Sequence, residues 1–128
     1  MTLLLDTSVA ILLRDGDREI EERLSGRPGD SLLSVVSRVE LEGGVYRDPT
    51  QTQARRRRLD QMLSELNTLP FRVEEAQAFG AIVARSGFSR PRILDRMIAA
   101  TALVADATLV TNNPRDFADI AGLKMEAW

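Results

Sequence analysis

Short apolar runs alternate with segments of helical periodicity along the 128 residues of the chain. The runs Thr2–Leu5, Ser31–Leu33 and Thr108–Thr111 have the length of buried strands, and each is followed by a segment that reads as a helix. Thr68–Val73 and Leu123–Glu126 are weaker candidates for edge strands. This alternation predicts an α/β fold in which helices surround a central, mainly parallel sheet of about five strands.

The helical segments are predicted from the spacing of apolar residues and from capping residues at their starts. In chain order they are Val9–Arg14, Arg18–Leu24, Val35–Tyr46, Pro49–Leu66, Glu74–Ser86, Leu94–Ala105 and Pro114–Ile120. The hydroxyl of Thr7 or Ser8 is expected to cap the first of them. No long linker or internal repeat divides the sequence, and its length suits one domain, so we expect a single domain over residues 1–128.

The chain contains neither cysteine nor histidine. This composition excludes disulfides, zinc–thiolate sites, thiol nucleophiles and histidine-dependent acid–base catalysis. The residues after Met1 lack the basic segment and long apolar stretch of a signal peptide, and no apolar run approaches the ~20 residues that cross a bilayer. We therefore expect a soluble protein of the reducing cytoplasm that has no membrane partner.

Acidic residues stand at four predicted structural boundaries that are far apart in sequence. Asp6 follows three leucines at the carboxyl end of the first predicted strand, which is where open α/β sheets bind ligands. Glu40 lies within a predicted helix, and its spacing from Val36 and Val39 places it on an apolar face that should point inward. Ordinary roles stay open for both: Asp6 as a helix cap, and Glu40 as the salt-bridge partner of a nearby arginine.

The other two acids lie at predicted helix starts. Asp95 belongs to the first turn of Leu94–Ala105, on the same face as Ile98, where a carboxylate would also stabilise the helix dipole. Asp116 follows Asn113 and a proline in a pattern typical of a helix amino terminus. Capping therefore explains Asp116 as well as ligand binding does.

Carboxylates gathered beside a core need compensation, because they raise one another's pKa and an unpaired buried charge is costly. A hard divalent cation such as Mg²⁺ or Mn²⁺ takes oxygen ligands and removes that cost. Such a cation also lowers the pKa of a bound water and stabilises charge on a scissile phosphate, so that no histidine base is required. The four acids therefore predict a magnesium or manganese site and phosphodiester chemistry.

The positive charges are almost all arginines: seventeen residues are Lys or Arg, and Lys124 is the single lysine. Because arginine binds phosphate bidentately, we predict that two groups of arginines contact the phosphates of a bound substrate. They are Arg55, Arg56, Arg57 and Arg58, which are consecutive, and Arg90 and Arg92, in the predicted loop Gly87–Arg92. A general compositional bias toward arginine is the alternative explanation.

The segments LLLDTS, VVSRVELEGG, ILDRMIAATAL and LVTNNPRDF, in this order and separation, resemble the PIN-domain ribonucleases. Among these, the VapC-type toxins of type II toxin–antitoxin modules are the most similar. The resemblance implies a PIN-like α/β/α sandwich and a Mg²⁺- or Mn²⁺-dependent endoribonuclease that cuts single-stranded or looped RNA. By it, Asp6 and Asp95 are the principal metal ligands, Glu40 completes the catalytic site, and Asp116 is a fourth, more variable acid.

The same resemblance implies polar support and partners. Thr7, Thr111 and Asn113 are expected to orient the groups of the site. Members of this family are commonly homodimers, and a separately encoded VapB-type antitoxin is expected to place its tail in the active groove.

Other functions stay open at this point. A haloacid-dehalogenase-type phosphatase needs a second aspartate where Ser8 stands and a catalytic lysine, and a receiver-like signalling domain also needs a lysine that is missing. An RNA-processing PIN nuclease that is no toxin, and a PIN-like module that binds RNA or protein without turnover, remain alternatives.

Overall fold

The computed structural model describes residues 2–27 and 29–128. Its strands are β1 (Leu3–Leu5), β2 (Ser31–Ser34), β3 (Asn67–Leu69), β4 (Thr108–Thr111) and β5 (Met125–Ala127). Its α-helices are α1 (Thr7–Arg14), α2 (Arg18–Ser25), α3 (Val35–Arg47), α4 (Thr52–Glu65), α5 (Val73–Ser86) and α6 (Ile93–Val104). Short 3₁₀ turns cover Arg90–Arg92 and Pro114–Phe117.

The five strands form one parallel sheet in the order β3-β2-β1-β4-β5. At its centre, Leu4 of β1 is in register with Leu32 of β2 and Leu109 of β4. The chain first adds strands on one side of β1 and then returns to add β4 and β5 on the other side. The carboxyl ends of β1 and β4 therefore flank the point where the strand order reverses, which is where such sheets bind ligands.

Helices cover both faces of the sheet, as the continuous apolar strands require. Leu3 and Leu5 pack into a cluster with residues of α1, α2 and α4, whereas Leu4 packs into a second cluster with α5 and α6. Helix α3 contributes to both, through Leu41 on the first side and Val36 on the second. The α/β/α sandwich expected from the sequence is confirmed. No helix in the described part of the chain is long and apolar enough to span a membrane.

Two predicted elements differ from the structure in length or type. Strand β3 ends at Leu69 because Pro70 has no amide hydrogen to continue the ladder, so the strand predicted to reach Val73 is too long. The helix predicted over Pro114–Ile120 is a 3₁₀ turn that ends at Phe117. The remaining element boundaries move by a few residues.

Truncation of Leu109 tests the two-sided core. Leu109 is fully buried on the central strand β4, so Leu109→Ala should lower the free energy of unfolding by about 2–5 kcal/mol in urea titrations. Val73→Ala is the matched control, because Val73 is 67% exposed and its truncation should change stability by no more than about 0.5 kcal/mol. Equal effects of the two substitutions would contradict this packing.

Candidate active site

The structure brings the four predicted acids to one edge of the sheet. Asp6 directly follows β1, and Thr111 is the last residue of the neighbouring strand β4. Glu40 lies on α3, which begins where β2 ends, and Asp95 lies in the first turn of α6. Asp116 lies in the 3₁₀ turn that follows β4. We call Asp6, Glu40, Asp95 and Asp116 the acidic cluster.

The electrostatics of Asp95 show that the cluster shares one field. Its pKa is raised from 3.8 to about 6, first by partial burial and then by the charges of Asp6, Asp116 and Glu40. Arg92 acts in the opposite direction on the same pKa. Burial and neighbouring like charges thus disfavour the ionised form of Asp95, and a bound cation would relieve this cost.

Asp6 is buried and is held by three donors. Its Oδ1 accepts the backbone N–H of Thr7 at 2.8 Å, and its Oδ2 accepts the hydroxyls of Ser8 at 2.9 Å and Thr111 at 2.7 Å. Asp6 is also the N-cap of α1. The expectation that a hydroxyl of Thr7 or Ser8 caps this helix is therefore wrong, because both hydroxyls point to acids instead.

Glu40 is half-buried and is held by a chain of hydroxyls. Thr7 Oγ1 lies 2.7 Å from Glu40 Oε1 and 2.9 Å from Ser37 Oγ. Since Thr7 has one hydroxyl proton and a carboxylate only accepts, Thr7 donates to Glu40 and Ser37 donates to Thr7. The predicted apolar face was only partly right: Val36 is buried, but Val39 is 66% exposed, so the inward side of α3 carries Ser37 in its place.

Asp116 and Asn113 are held through their backbones. The amide of Asn113 donates to Thr111 Oγ1 at 2.9 Å, and its side chain makes no capping bond to the 3₁₀ turn. Arg92 donates from Nη1 to the carbonyl oxygen of Asp116 at 3.0 Å. The predicted helix-capping role of this pair is not formed, and the carboxylate of Asp116 instead acts on Asp95.

The consecutive arginines on α4 divide into two pairs. Arg55 donates to the carbonyl of Gly44 at 3.0 Å, and Arg56 pairs with Glu42 at 2.5 Å and with Asp60 at 2.7 Å. The bond from Arg56 lowers the pKa of Glu42. These two guanidinium groups therefore join α4 to α3 rather than standing free.

Arg57 and Arg58 are exposed and line a cavity of about 880 Å³. The same cavity is lined by Ser31 and Asn67, the first residues of β2 and β3. Amino ends of parallel strands lie at the edge opposite their carboxyl ends, so this pair is remote from the acidic cluster.

The arginines of the 3₁₀ turn lie beside the acidic cluster. Arg92 contacts the backbone of Asp116, and Arg90 is exposed in the same turn. The buried Arg96 anchors the preceding segment, since it donates to the carbonyl of Gly87 and to Asp119 at 3.3 Å. Among the predicted phosphate contacts, only Arg90 and Arg92 are thus placed near the acids.

Ser8 and Ser37 take part in the site although the sequence did not single them out. Ser8 is two residues from Asp6, and Ser37 lies one helical turn before Glu40. In both cases, the short spacing between a hydroxyl and an acid was the sequence feature that could have predicted a role in the site. Over residues 2–27 and 29–128, no three acidic side chains converge closely enough to hold a metal ion by themselves. The acidic cluster is therefore a group of electrostatically coupled acids rather than a closed metal cage.

Comparison with known proteins identifies the family to which this chain belongs. The sequence model of the PIN domain matches residues 3–123. The chain belongs to the PIN-domain family. It is 29% identical over 133 residues to ribonuclease VapC1 of Rickettsia felis, covering 98% of this chain and 95% of that protein. It is 29% identical over 135 residues to the tRNA(fMet)-specific endonuclease VapC of Shigella flexneri, covering 100% and 98%.

A solved structure supports the same assignment. A toxin–antitoxin complex from Klebsiella pneumoniae contains a chain that superposes on this PIN domain with a TM-score of 0.74 at 28% identity. The superposition covers 94% of each chain. The match therefore extends over the sheet, both helical layers and the edge that carries the acidic cluster.

The raised pKa of Asp95 predicts a pH-dependent stability in metal-free solution. Because folding raises the pKa of Asp95, protonated Asp95 favours the folded state. This contribution to stability is fully present below pH 3.8, the ordinary pKa of the group, and is lost as pH rises through about 6. Asp95→Asn, which mimics the protonated acid, should thus raise the melting temperature by roughly 2–5 °C at about pH 7.5 and little at about pH 4.

Melting curves in the presence of a chelator measure this effect. Glu22→Gln is the matched control, because Glu22 is an exposed acid on α2. If Asp95→Asn lowered the melting temperature at about pH 7.5, repulsion within the acidic cluster would be ruled out as a cost to the metal-free fold.

Proposed function

We propose that this PIN domain is a Mg²⁺- or Mn²⁺-dependent endoribonuclease and the toxin of a toxin–antitoxin pair. The observation that carries the proposal is the acidic cluster at the reversal point of the sheet, where partial burial and then like charges raise the pKa of Asp95. Similarity over nearly full length to a ribonuclease and to a tRNA-specific endonuclease supports the reaction class.

The donor set fits a hard divalent cation. Every acid of the cluster offers carboxylate oxygens, which Mg²⁺ and Mn²⁺ prefer, and the repulsion felt by Asp95 would be relieved by a positive ion. Because no three acids converge in the described residues, we assign direct ligation to Asp6 and Asp95. Glu40 and Asp116 would then act through waters that the cation retains.

The residues of this chain supply orientation and charge for phosphodiester hydrolysis. A bound cation of this kind provides an activated water and stabilises charge on the scissile phosphate. Asp6 is fixed by its three donors, and Thr7 occupies one acceptor position of Glu40 Oε1, leaving the other acceptor positions of that carboxylate for water. Arg90 and Arg92 lie where they can hold the phosphate backbone of an RNA strand.

Substrate and partners follow from the same proposal. We assign single-stranded or looped RNA as substrate, cytoplasm as the place of action, and a separately encoded VapB-type antitoxin as inhibitor. Similarity to a tRNA-specific endonuclease and to a chain of a toxin–antitoxin complex supports these assignments. We also propose a homodimer, for which the exposed Val39 and Tyr46 on α3 offer apolar surface. Growth arrest on expression, relieved by Asp95→Asn, would support the toxin assignment, and a monomer mass in sedimentation would exclude the dimer.

The proposed reaction predicts a metal-dependent cleavage. The purified protein should cut structured RNA with Mg²⁺ or Mn²⁺, and a chelator should abolish cleavage. Asp6→Asn should lower kcat/KM by at least about a hundredfold, because it removes a charged ligand, whereas Glu22→Gln should match the wild type. Cleavage sites mapped by sequencing provide the measurement. Cleavage that survives both the chelator and Asp6→Asn would exclude the proposed chemistry.

The two pairs of accessible arginines predict different salt dependences. In the inactive Asp6→Asn background, Arg90→Ala should weaken RNA binding and reduce the slope of log affinity against log salt by about 1, as expected for one lost phosphate contact. Arg57→Ala with Arg58→Ala should leave the slope unchanged, because this pair lies at the opposite edge of the sheet. Fluorescence anisotropy with labelled RNA measures both. The reverse result would place the RNA track on α4.

A further inference from the structure

We propose that Ser8 is a positioning residue that fixes how Asp6 presents its carboxylate to a cation. The inference rests on the proposed function and assigns a role to a side chain that lies outside the acidic cluster. Ser8 bridges two parts of the site: its hydroxyl is 2.9 Å from Asp6 Oδ2, and the backbone nitrogen of Asn112 is 3.2 Å from the same hydroxyl.

The direction of these hydrogen bonds is set by proton counting. The amide of Asn112 can only donate, so Ser8 Oγ accepts from it. The single hydroxyl proton of Ser8 is then available to Asp6 Oδ2, because a carboxylate only accepts. Ser8 is therefore held from both sides, by the segment that follows β4 and by the acid that follows β1.

Thr111 repeats this arrangement on the same oxygen. Its hydroxyl accepts the amide of Asn113 at 2.9 Å and lies 2.7 Å from Asp6 Oδ2. Two successive backbone amides thus polarise two hydroxyls that converge on one carboxylate oxygen. Ser8 and Thr111 come from α1 and β4, so the orientation of Asp6 is tied to the spacing of these elements.

Counting acceptor positions on Asp6 gives its mode of ligation. A carboxylate oxygen accepts about two hydrogen bonds in its plane, so Oδ2 is filled by Ser8 and Thr111. Within the described part of the chain, Oδ1 accepts the amide of Thr7 alone and keeps one position free. The geometry therefore assigns monodentate ligation through Oδ1 and excludes a bidentate Asp6 while Ser8 is in place.

Loss of the Ser8 hydroxyl should weaken cation binding without unfolding the protein. Ser8→Ala opens a position on Oδ2 and removes the link to Asn112, so the carboxylate gains freedom to rotate. Hydrogen bonds that orient metal-binding side chains are typically worth about 10- to 100-fold in metal affinity or activity. Ser8 is only partly buried, so its truncation leaves no large cavity.

The test compares Ser8→Ala, Ser8→Thr and Ser64→Ala by titration calorimetry of the metal-free proteins with Mn²⁺. Ser64→Ala is the matched control, because it removes an exposed hydroxyl that bonds to a backbone carbonyl on α4. Ser8→Ala should lower Mn²⁺ affinity by about tenfold and raise the half-activating Mg²⁺ concentration similarly, whereas Ser8→Thr should restore most of both. KM for RNA at saturating Mg²⁺ and the metal-free melting temperature should stay near the wild-type values.

Several outcomes decide the matter. Mn²⁺ affinity of Ser8→Ala within about twofold of the wild type, or no restoration by Ser8→Thr, would overturn the positioning role. A lower metal-free melting temperature with unchanged affinity would assign Ser8 a purely structural role. If the wild type itself bound no Mn²⁺, the proposed function would fail. The role of Ser8 would then be tested by comparing the orientation of the Asp6 carboxylate in crystal structures of the metal-free wild type and Ser8→Ala. An Asp6 carboxylate that keeps its orientation in Ser8→Ala would then refute the inference.

Discussion

The partial burial of Asp95 beside the charges of Asp6, Asp116 and Glu40 is the constraint on which the rest of the site depends. The parallel sheet brings Asp6 to one edge, and the helices that leave the same edge add Glu40 and Asp95. Ionisation of Asp95 at this site is unfavourable without a counter-ion, in line with its raised pKa. The site therefore favours a bound cation, because the cation would stabilise the ionised acids.

Neutral donors keep this charged edge compatible with folding. Asp6 is buried but accepts three hydrogen bonds, and Glu40 accepts the hydroxyl of Thr7, which is backed by Ser37. Neutral donors of this kind form hydrogen bonds with a carboxylate without neutralising its charge. The carboxylate is therefore held in one orientation and can still bind a cation. The guanidinium of Arg92 donates to the backbone carbonyl of Asp116, and its charge offsets only part of the raised pKa of Asp95.

The sequence was sufficient for the architecture and for the position of these acids beside strand ends and helix starts, because both depend on short-range patterns. Buried runs such as Leu3–Leu5 and Thr108–Thr111 announce a parallel sheet, and an acid at a strand end is visible without coordinates. The sequence was not sufficient to predict which hydrogen-bond partner a side chain takes. Ser8 is equally suited to cap a helix or to bond Asp6, and only the position of β4 beside β1 decides between them.

The arginines show the same limit. The run Arg55–Arg58 reads as one basic patch, yet its first two members join α4 to α3, because Arg55 donates to the carbonyl of Gly44 and Arg56 pairs with Glu42. A run of arginines in a sequence does not reveal which of them form ion pairs or hydrogen bonds in the folded protein. The short Arg90–Arg92 turn is less conspicuous, but the tertiary fold sets it beside the acids.

A crystal structure with Mn²⁺, phased to show anomalous scattering, tests the central claim most directly. The account predicts a manganese peak within about 2.0–2.4 Å of one carboxylate oxygen each from Asp6 and Asp95, with waters completing the coordination. It also predicts that Asp6 contributes Oδ1 alone. A peak elsewhere on the molecule, or none at a saturating Mn²⁺ concentration, would contradict the account.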